Sequence, residues 1–297
     1  MVAGQVLSAG MRSVVVRVQV EDGTSWVVKY FRRRDSASNS GGFGYLREKQ
    51  GLPALGLLAP GLYPSLLVAD DTARLLILED VTGSSASAIS LGELLLSAGA
   101  DAAPQRALEA WVDTWAGVLS SPAQPAAQDA LRTALEEADP RAVSPGSLPS
   151  PQLAFKGLPL LPEGRGLSLG SAGLRQLEEA VESIIYPEAD QLVLSSGDFS
   201  PANILLTAGG LRGIDAEGAC IHHWALPLAE LLLGFPSWPQ GPLPAALLSG
   251  EAWQTACQEF YRRVAPAPEP SYQQDARVKA AVLTLEAILA EQRAKRH

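Results

Sequence analysis

Ser196-Gly-Asp198-Phe-Ser-Pro-Ala-Asn203-Ile-Leu-Leu206, followed by Gly213-Ile-Asp215-Ala-Glu217, decides the reading of this chain. It holds an acid, an amide five residues later and a second acid beyond a short apolar run. Metal-assisted phosphoryl transfer asks for that set: one carboxylate orients a hydroxyl, while an Asn and an Asp hold the Mg²⁺ that bridges nucleotide phosphates. Each residue alone has an ordinary reading, since Gly-Asp is a common turn dipeptide and Asn203 can cap a turn. The spacing, with strand-like apolar runs on both sides, sets the group apart.

Upstream, the first eighty residues read mainly as strands. Ser13 to Val20 is β-branched and partly alternating, Glu21-Asp-Gly-Thr24 is a hairpin signal, and Ser25 to Phe31 returns as a second strand. Ser36 to Gly44 is a Ser/Gly-rich loop, Tyr45 to Leu55 a short helix carrying Glu48, and Ser65–Ala69 with Arg74–Leu78 a second hairpin-like pair. This order predicts a small antiparallel sheet with one helix. Ser8-Ala-Gly-Met-Arg-Ser13 opens the first hairpin; it is either a plain turn or a row of backbone N–H groups for phosphates, with Gly10 allowing close approach. Lys29, mid-strand in an apolar frame, is either exposed or aimed at a phosphate. Glu48 on the next helix is its candidate ion-pair partner.

After Thr82-Gly83 the pattern turns helical, over Leu91–Leu96, Pro104–Leu119, Gln128–Ala138, Ala172–Ile185, Trp224–Leu233, Glu251–Val264 and Tyr272–Arg293. Asp139 to Gly170 is rich in Pro, Gly and Ser and reads as irregular. Short strands at Leu192–Leu194 and Ile204–Leu206 flank the acidic motif. The expected class is α+β, with an N-terminal lobe over residues 1–82 and a larger, mainly helical lobe over 83–297.

Bulk properties exclude several classes. Of 297 residues, 47% are hydrophobic and 19% charged, which is the balance of a globular chain rather than a disordered one. A formal charge of −9, with basic residues clustered only at Lys29–Arg34 and in the tail, argues against nucleic acid as a partner. No segment has the roughly 18 apolar residues of a membrane span. Two cysteines are too few for a disulfide framework, so a cytoplasmic protein is expected.

From about Leu7 to about Phe235 the chain resembles the aminoglycoside phosphotransferase and choline-kinase-like group of small-molecule kinases, distant relatives of the protein kinases. The likeness is strongest over Ser196–Ala219 and extends to Trp26–Phe31 and Leu75–Val81. It implies a bilobal protein-kinase-like fold, ATP and Mg²⁺ as cofactors, and a small-molecule hydroxyl as acceptor. Asp198 matches the catalytic base, Asn203 and Asp215 the metal ligands, and Lys29, oriented by Glu48, the α/β-phosphate contact. Gly10 and Ser13 fall in the phosphate turn, and backbone groups of Glu79 and Val81 match those that hold adenine. Glu217 fits the Asp-x-Glu variant of the group. Two positions depart from the pattern: Ser196 stands where the group has His, and Pro227 where it has Asp. Both family residues brace the catalytic loop. The alternative reading is therefore a kinase-like module that binds nucleotide or a partner with little or no turnover.

Other residues receive plainer expectations. Adjacent His222 and His223, read on an irregular segment, diverge and do not form a zinc site. Trp111 and Trp115 form a packed helical stripe. Arg32–Arg34 is a solvated strand end, Ala281–Leu289 a core helix, and Glu259, Glu269, Asp275 and Glu286 surface carboxylates.

Overall fold

The structure, a computed structural model, describes residues 3–32, 44–83, 88–97, 103–140, 152–161, 170–236, 238, 243, 245–248 and 250–295. The expected 36–44 loop and Arg33–Arg34 fall largely outside them, as does most of the 139–170 stretch, whose described residues correct the irregular reading: Gln152–Gly157 is helical, with Ala154 buried in an apolar cluster. The chain forms two compact units: Met1–Gly99 with Ser121–Ser144 and Leu194–Cys220, and Ala100–Ser120 with Pro145–Val193 and Ile221–His297.

In the first unit, strands β1 (Ala3–Ala9), β2 (Ser13–Gln19), β3 (Ser25–Phe31), β4 (Leu66–Asp70) and β5 (Leu75–Glu79) make one antiparallel sheet of order β1-β2-β3-β5-β4. Lys29 sits opposite Val15 of β2 and Leu76 of β5, at the centre of the sheet. The two-residue period of β3 turns Lys29 and Phe31 to the buried face and Trp26 and Tyr30 to the exposed one. The β1 strand adds to the sequence expectation. All seven of its residues are exposed, so no alternation of apolar and polar residues marks it.

Helix α1 (Tyr45–Leu58) covers the buried face and runs three residues past its expected end, through Pro53. Leu52, Leu55 and Leu58 are buried on either side of that proline, and their packing carries the helix past it. Helix α2 (Leu91–Leu96) opens on a capping box in which Ser90 and Glu93 each satisfy the other's backbone N–H.

Helix α3 (Ala103–Leu119) belongs to the second unit and α4 (Gln124–Ala138) to the first. The latter begins four residues before the expected start, because Pro125 suits a first helical turn. A small three-stranded sheet joins β6 (Ile89–Ser90), β8 (Ile204–Thr207) and β9 (Gly210–Gly213) to the first unit, while β7 is Leu192–Ser195.

The second unit is helical: α5 (Gln152–Gly157), α6 (Ser171–Ile185), α7 (Ala225–Leu232), α8 (Ala245–Leu248), α9 (Glu251–Val264) and α10 (Ala276–Ala294). Trp111 and Trp115 are fully buried as expected, and the Trp111 ring lies 5.0 Å from Phe235 and 5.4 Å from Phe260. A second apolar cluster gathers Ala154, Leu158, Val181, Ile185 and Ala287.

Two further expectations are corrected here. Cys220–His223 is a strand, β10, rather than irregular, and both imidazoles are buried. Burial holds His222 at about 4 and His223 at about 3, so both are neutral; His223 Nδ1 accepts the Ala225 N–H at 3.0 Å, at the start of α7. Asp275 is buried, not on the surface. It accepts hydrogen bonds from Tyr261 Oη (2.8 Å) and the Arg277 N–H (2.9 Å), capping α10. Among the described residues no helix is long and apolar enough to cross a membrane.

Candidate active site

The loop that follows β7 is held by its own short side chains. Ser195 Oγ accepts the Gly197 N–H (3.0 Å), Asp198 Oδ1 accepts the Ser200 N–H (3.0 Å), and Ser200 Oγ accepts the Ala202 N–H (3.3 Å). Ser196 Oγ donates to the Asp198 carbonyl at 3.3 Å. Side-chain-to-backbone bonds of this kind stabilise turns.

A tight 3₁₀ turn over Pro201–Asn203 leads into the β8–β9 hairpin. Its open end pairs Ile204 with Gly213, and the Ile214 N–H donates to the Asn203 carbonyl at 2.8 Å. That ladder sets Asn203 opposite Ile214, the residue before Asp215, although eleven positions separate them. Asp215 takes a left-handed backbone conformation, φ 62°. An Asp tolerates this region better than most residues, but the conformation persists only where the surroundings enforce it.

The next turn, residues 216–219, supplies that enforcement. Gly44 N–H donates to the Glu217 carbonyl (2.8 Å), Arg47 Nη1 to the Ala219 carbonyl (2.9 Å), and Ala219 N–H to the Ala216 carbonyl (3.0 Å). Gly197, at φ 73°, lies directly against this turn: a Cβ there would sit 2.0 Å from the Gly218 oxygen. Gly197→Ala is therefore expected to lose on the order of 3 kcal/mol of stability, from positive φ and backbone overlap together. A denaturation midpoint within experimental error of the wild type would show that the two loops are not in contact in solution.

An ion cluster occupies the face between these loops and β3. Lys29 Nζ lies 2.6 Å from Glu48 Oε2, 2.7 Å from Asp215 Oδ1 and 3.5 Å from Glu217 Oε2. The lysine and Glu48 are buried, whereas a third of the Asp215 side chain is open. Burial works to lower the Lys29 pKa, but the three carboxylates outweigh it and hold the ammonium well above its usual range. Burial raises Glu48 and Glu217, the latter also repelled by Asp215. For Asp215, burial is outweighed by Lys29 and Arg12, which keep its carboxyl below the usual range. Burial raises Asp198, with the Ser200 N–H opposing and the Asp215 charge adding to the rise.

The expected Lys29–Glu48 pair thus forms, and Asp215 joins it. Asn203 lies near Asp198, its Nδ2 buried without a well-formed hydrogen bond. Hard oxygens from an amide and a carboxylate form a donor set that suits Mg²⁺. The Glu48, Asp215 and Glu217 carboxylates also converge, with ligand atoms within 4.8 Å of one another, but Lys29 lies among them. Gly10 donates its N–H to the Ser13 carbonyl at 2.9 Å; a Cβ at Gly10 would meet only that oxygen, at 3.8 Å, so the fold alone does not demand glycine. Glu79 is engaged by Arg212 (2.8 Å) and the Ser65 N–H (3.1 Å). Val81 follows Asp80, whose carboxylate binds Arg17 and Ser25, each at 2.8 Å, and so anchors the segment after β5.

One residue escapes the sequence reading altogether. Arg12, in the turn between β1 and β2, puts Nη2 2.8 Å from Glu217 Oε1. The only signal for it was a basic residue beside Gly10 and Ser13.

The sheet, the helix that pairs its glutamate with Lys29 and the Asp198–Asp215 hairpin together define the fold of small-molecule phosphotransferases and kinases. Among solved structures, a macrolide 2′-phosphotransferase, MphH from Brachybacterium faecium, has a TM-score of 0.54 at 15% identity, over 99% of this chain and 87% of that one. A thermostable mutant of aminoglycoside phosphotransferase APH(4)-Ia scores 0.51 at 16% identity, over 99% and 93%. An ethanolamine kinase from Plasmodium vivax scores 0.51 at 13% identity, over 97% and 81%. No protein-family model matches the sequence, and no curated protein is similar to it in sequence.

Proposed function

We propose that this protein is an ATP-dependent phosphotransferase that moves a γ-phosphoryl group to a hydroxyl of a small molecule. The observation that carries the reading is the Lys29 ammonium, 2.6 Å from Glu48 and 2.7 Å from Asp215, with Asp198 close enough to feel the Asp215 charge. A buried ammonium bonded to the metal-ligand candidate supports the reading, because a nucleotide phosphate could take a carboxylate's place as its partner. Structural neighbours include APH(4)-Ia in ternary complexes with AMP-PNP or ADP and hygromycin B, which supports a nucleotide and a small-molecule acceptor.

In this reading, Asp198 orients the acceptor hydroxyl and takes its proton. Positioning dominates, because the proton leaves late in a loose transition state. Lys29, held by Glu48, meets the α/β-phosphates, the Gly10–Ser13 turn covers them, and backbone groups of Glu79 and Val81 receive the base. Asn203 and Asp215 would hold Mg²⁺, which neutralises phosphate charge. The lobes are residues 1–82 and 83–297, the helices of the second lobe forming the acceptor pocket, and the protein works in the cytoplasm.

Titration calorimetry of ATP, with and without Mg²⁺, on wild type and Asp215→Asn tests the reading. Expected is Mg²⁺-dependent binding that weakens at least about tenfold in the variant, since a charged ligand is lost. Absence of any nucleotide binding by the wild type would remove the kinase reading and leave a kinase-like module that acts by contact.

A further inference from the structure

We propose that Arg12 is a phosphate-binding arginine, parked on Glu217 in the empty protein and transferred to the γ-phosphate of bound ATP. The inference rests on the phosphotransferase reading and adds to it a residue that the turn's glycine and serine do not predict.

The backbone of Arg12 is fixed. Its carbonyl accepts the Arg32 N–H at 2.8 Å, and the turn before it is closed by the Gly10 N–H to Ser13 at 2.9 Å. The side chain is the part that reaches the ion cluster. It crosses from the turn to Glu217, and 53% of its surface is exposed against 6% for its partner. The two cations on Glu217 therefore differ in kind: Lys29, at 3.5 Å, is buried among three carboxylates, whereas the Arg12 side chain is half exposed. An ion pair with one partner in water is weak and exchanges readily, while a buried one does not. A guanidinium moreover presents paired donors that match a phosphate as well as a carboxylate.

Position supports the same role. The Arg12 charge lowers the pKa of Asp198, Asp215 and Glu217 alike. A cation whose field reaches the candidate base and the candidate metal carboxylate stands near the point where the phosphoryl group passes between them. Charge arithmetic agrees. Among the described residues, the cations beside Glu48, Asp198, Asp215 and Glu217 are Lys29 and Arg12, so an ATP polyanion arriving here needs cationic contacts from the protein besides its metal. With Arg12 on the phosphate, Glu217 is left to Lys29 and to the metal side of the site.

The test compares MgATP and MgADP binding by calorimetry in wild type, Arg12→Gln and Arg12→Lys. Arg12→Gln is expected to weaken MgATP by about tenfold or more, as loss of a charge-assisted hydrogen bond should. MgADP affinity is expected to change less than about twofold, so the ATP-to-ADP preference collapses; Arg12→Lys keeps part of it. Melting temperatures in the absence of nucleotide should match, since the pair lost is half in solvent. Equal weakening of both nucleotides, or tighter MgATP binding by Arg12→Gln, overturns the γ-phosphate assignment while leaving the phosphotransferase reading intact. A wild type that binds neither nucleotide overturns both.

Discussion

Asp198→Asn should cost about 10²- to 10⁴-fold in turnover, the range a positioned general base supplies, while leaving MgATP affinity within about twofold of wild type. Turnover is read as ATP consumption with the best acceptor from a screen of amino alcohols, sugars, aminoglycosides and nucleosides. The variant isolates chemistry from folding. Burial and the Asp215 charge already disfavour ionised Asp198, and an asparagine oxygen can still accept the Ser200 N–H. Removing one of several clustered negative charges should leave thermal stability equal or higher. Retained turnover within tenfold of wild type would take the proton-accepting role away from Asp198. A large fall in nucleotide affinity would reassign it to the metal.

Lys29→Met should have the largest effect on the fold itself. It deletes the cation among Glu48, Asp215 and Glu217 and leaves their carboxylates to repel one another. Breaking a buried ion pair from one side costs about 3–5 kcal/mol. The pH dependence carries the diagnosis. Without Lys29 the pKa values of Glu48 and Glu217, already raised by burial, climb further. The folded variant then binds protons that the unfolded chain has released, so its stability falls as pH rises through that window. Its deficit relative to wild type is therefore expected to be greatest above neutral pH and to shrink toward pH 5, by up to about 1.4 kcal/mol per pH unit for each proton taken up. Denaturant titrations at several pH values measure this. A deficit constant across pH would mean that Lys29 acts through packing, such as its place 5.1 Å over the Phe31 ring, and not through charge.

Much of the candidate site's geometry is legible because it is local. Asp198, Asn203 and Asp215 share one loop and one hairpin, so their spacing along the chain foretells their proximity. The Lys29–Glu48 pair is legible for another reason: a strand followed by its covering helix brings those two positions together. Arg12 and Glu217 lie 205 positions apart, and neither element's pattern announces the other. The β6, β9 and β10 strands are two to four residues long, too short for any period to emerge. Asp275 reads as a surface carboxylate because one of its partners, Tyr261, reaches it only through helix packing. Pro53 does not end α1, in line with the helix read through it, since the buried leucines around it outweigh its cost.

The β8–β9 hairpin has an implication for how this chain could be altered. Its ladder fixes the metal-ligand candidates at one end, while the other end closes in a tight turn, Thr207 to Gly210, whose Thr207 Oγ1 bonds the Gly210 carbonyl at 2.8 Å. Ala208, Gly209 and Gly210 are exposed. Exposed tips of this kind accept added sequence with little cost to the scaffold beneath them. A guest domain or a new pair of chain ends placed at Ala208–Gly209 would thus ride on the same hairpin that aligns Asn203 with Asp215. Tension or ordering in the graft would be transmitted along four residue pairs to the ion cluster, making this tip a natural handle for coupling a reporter to occupancy of the site.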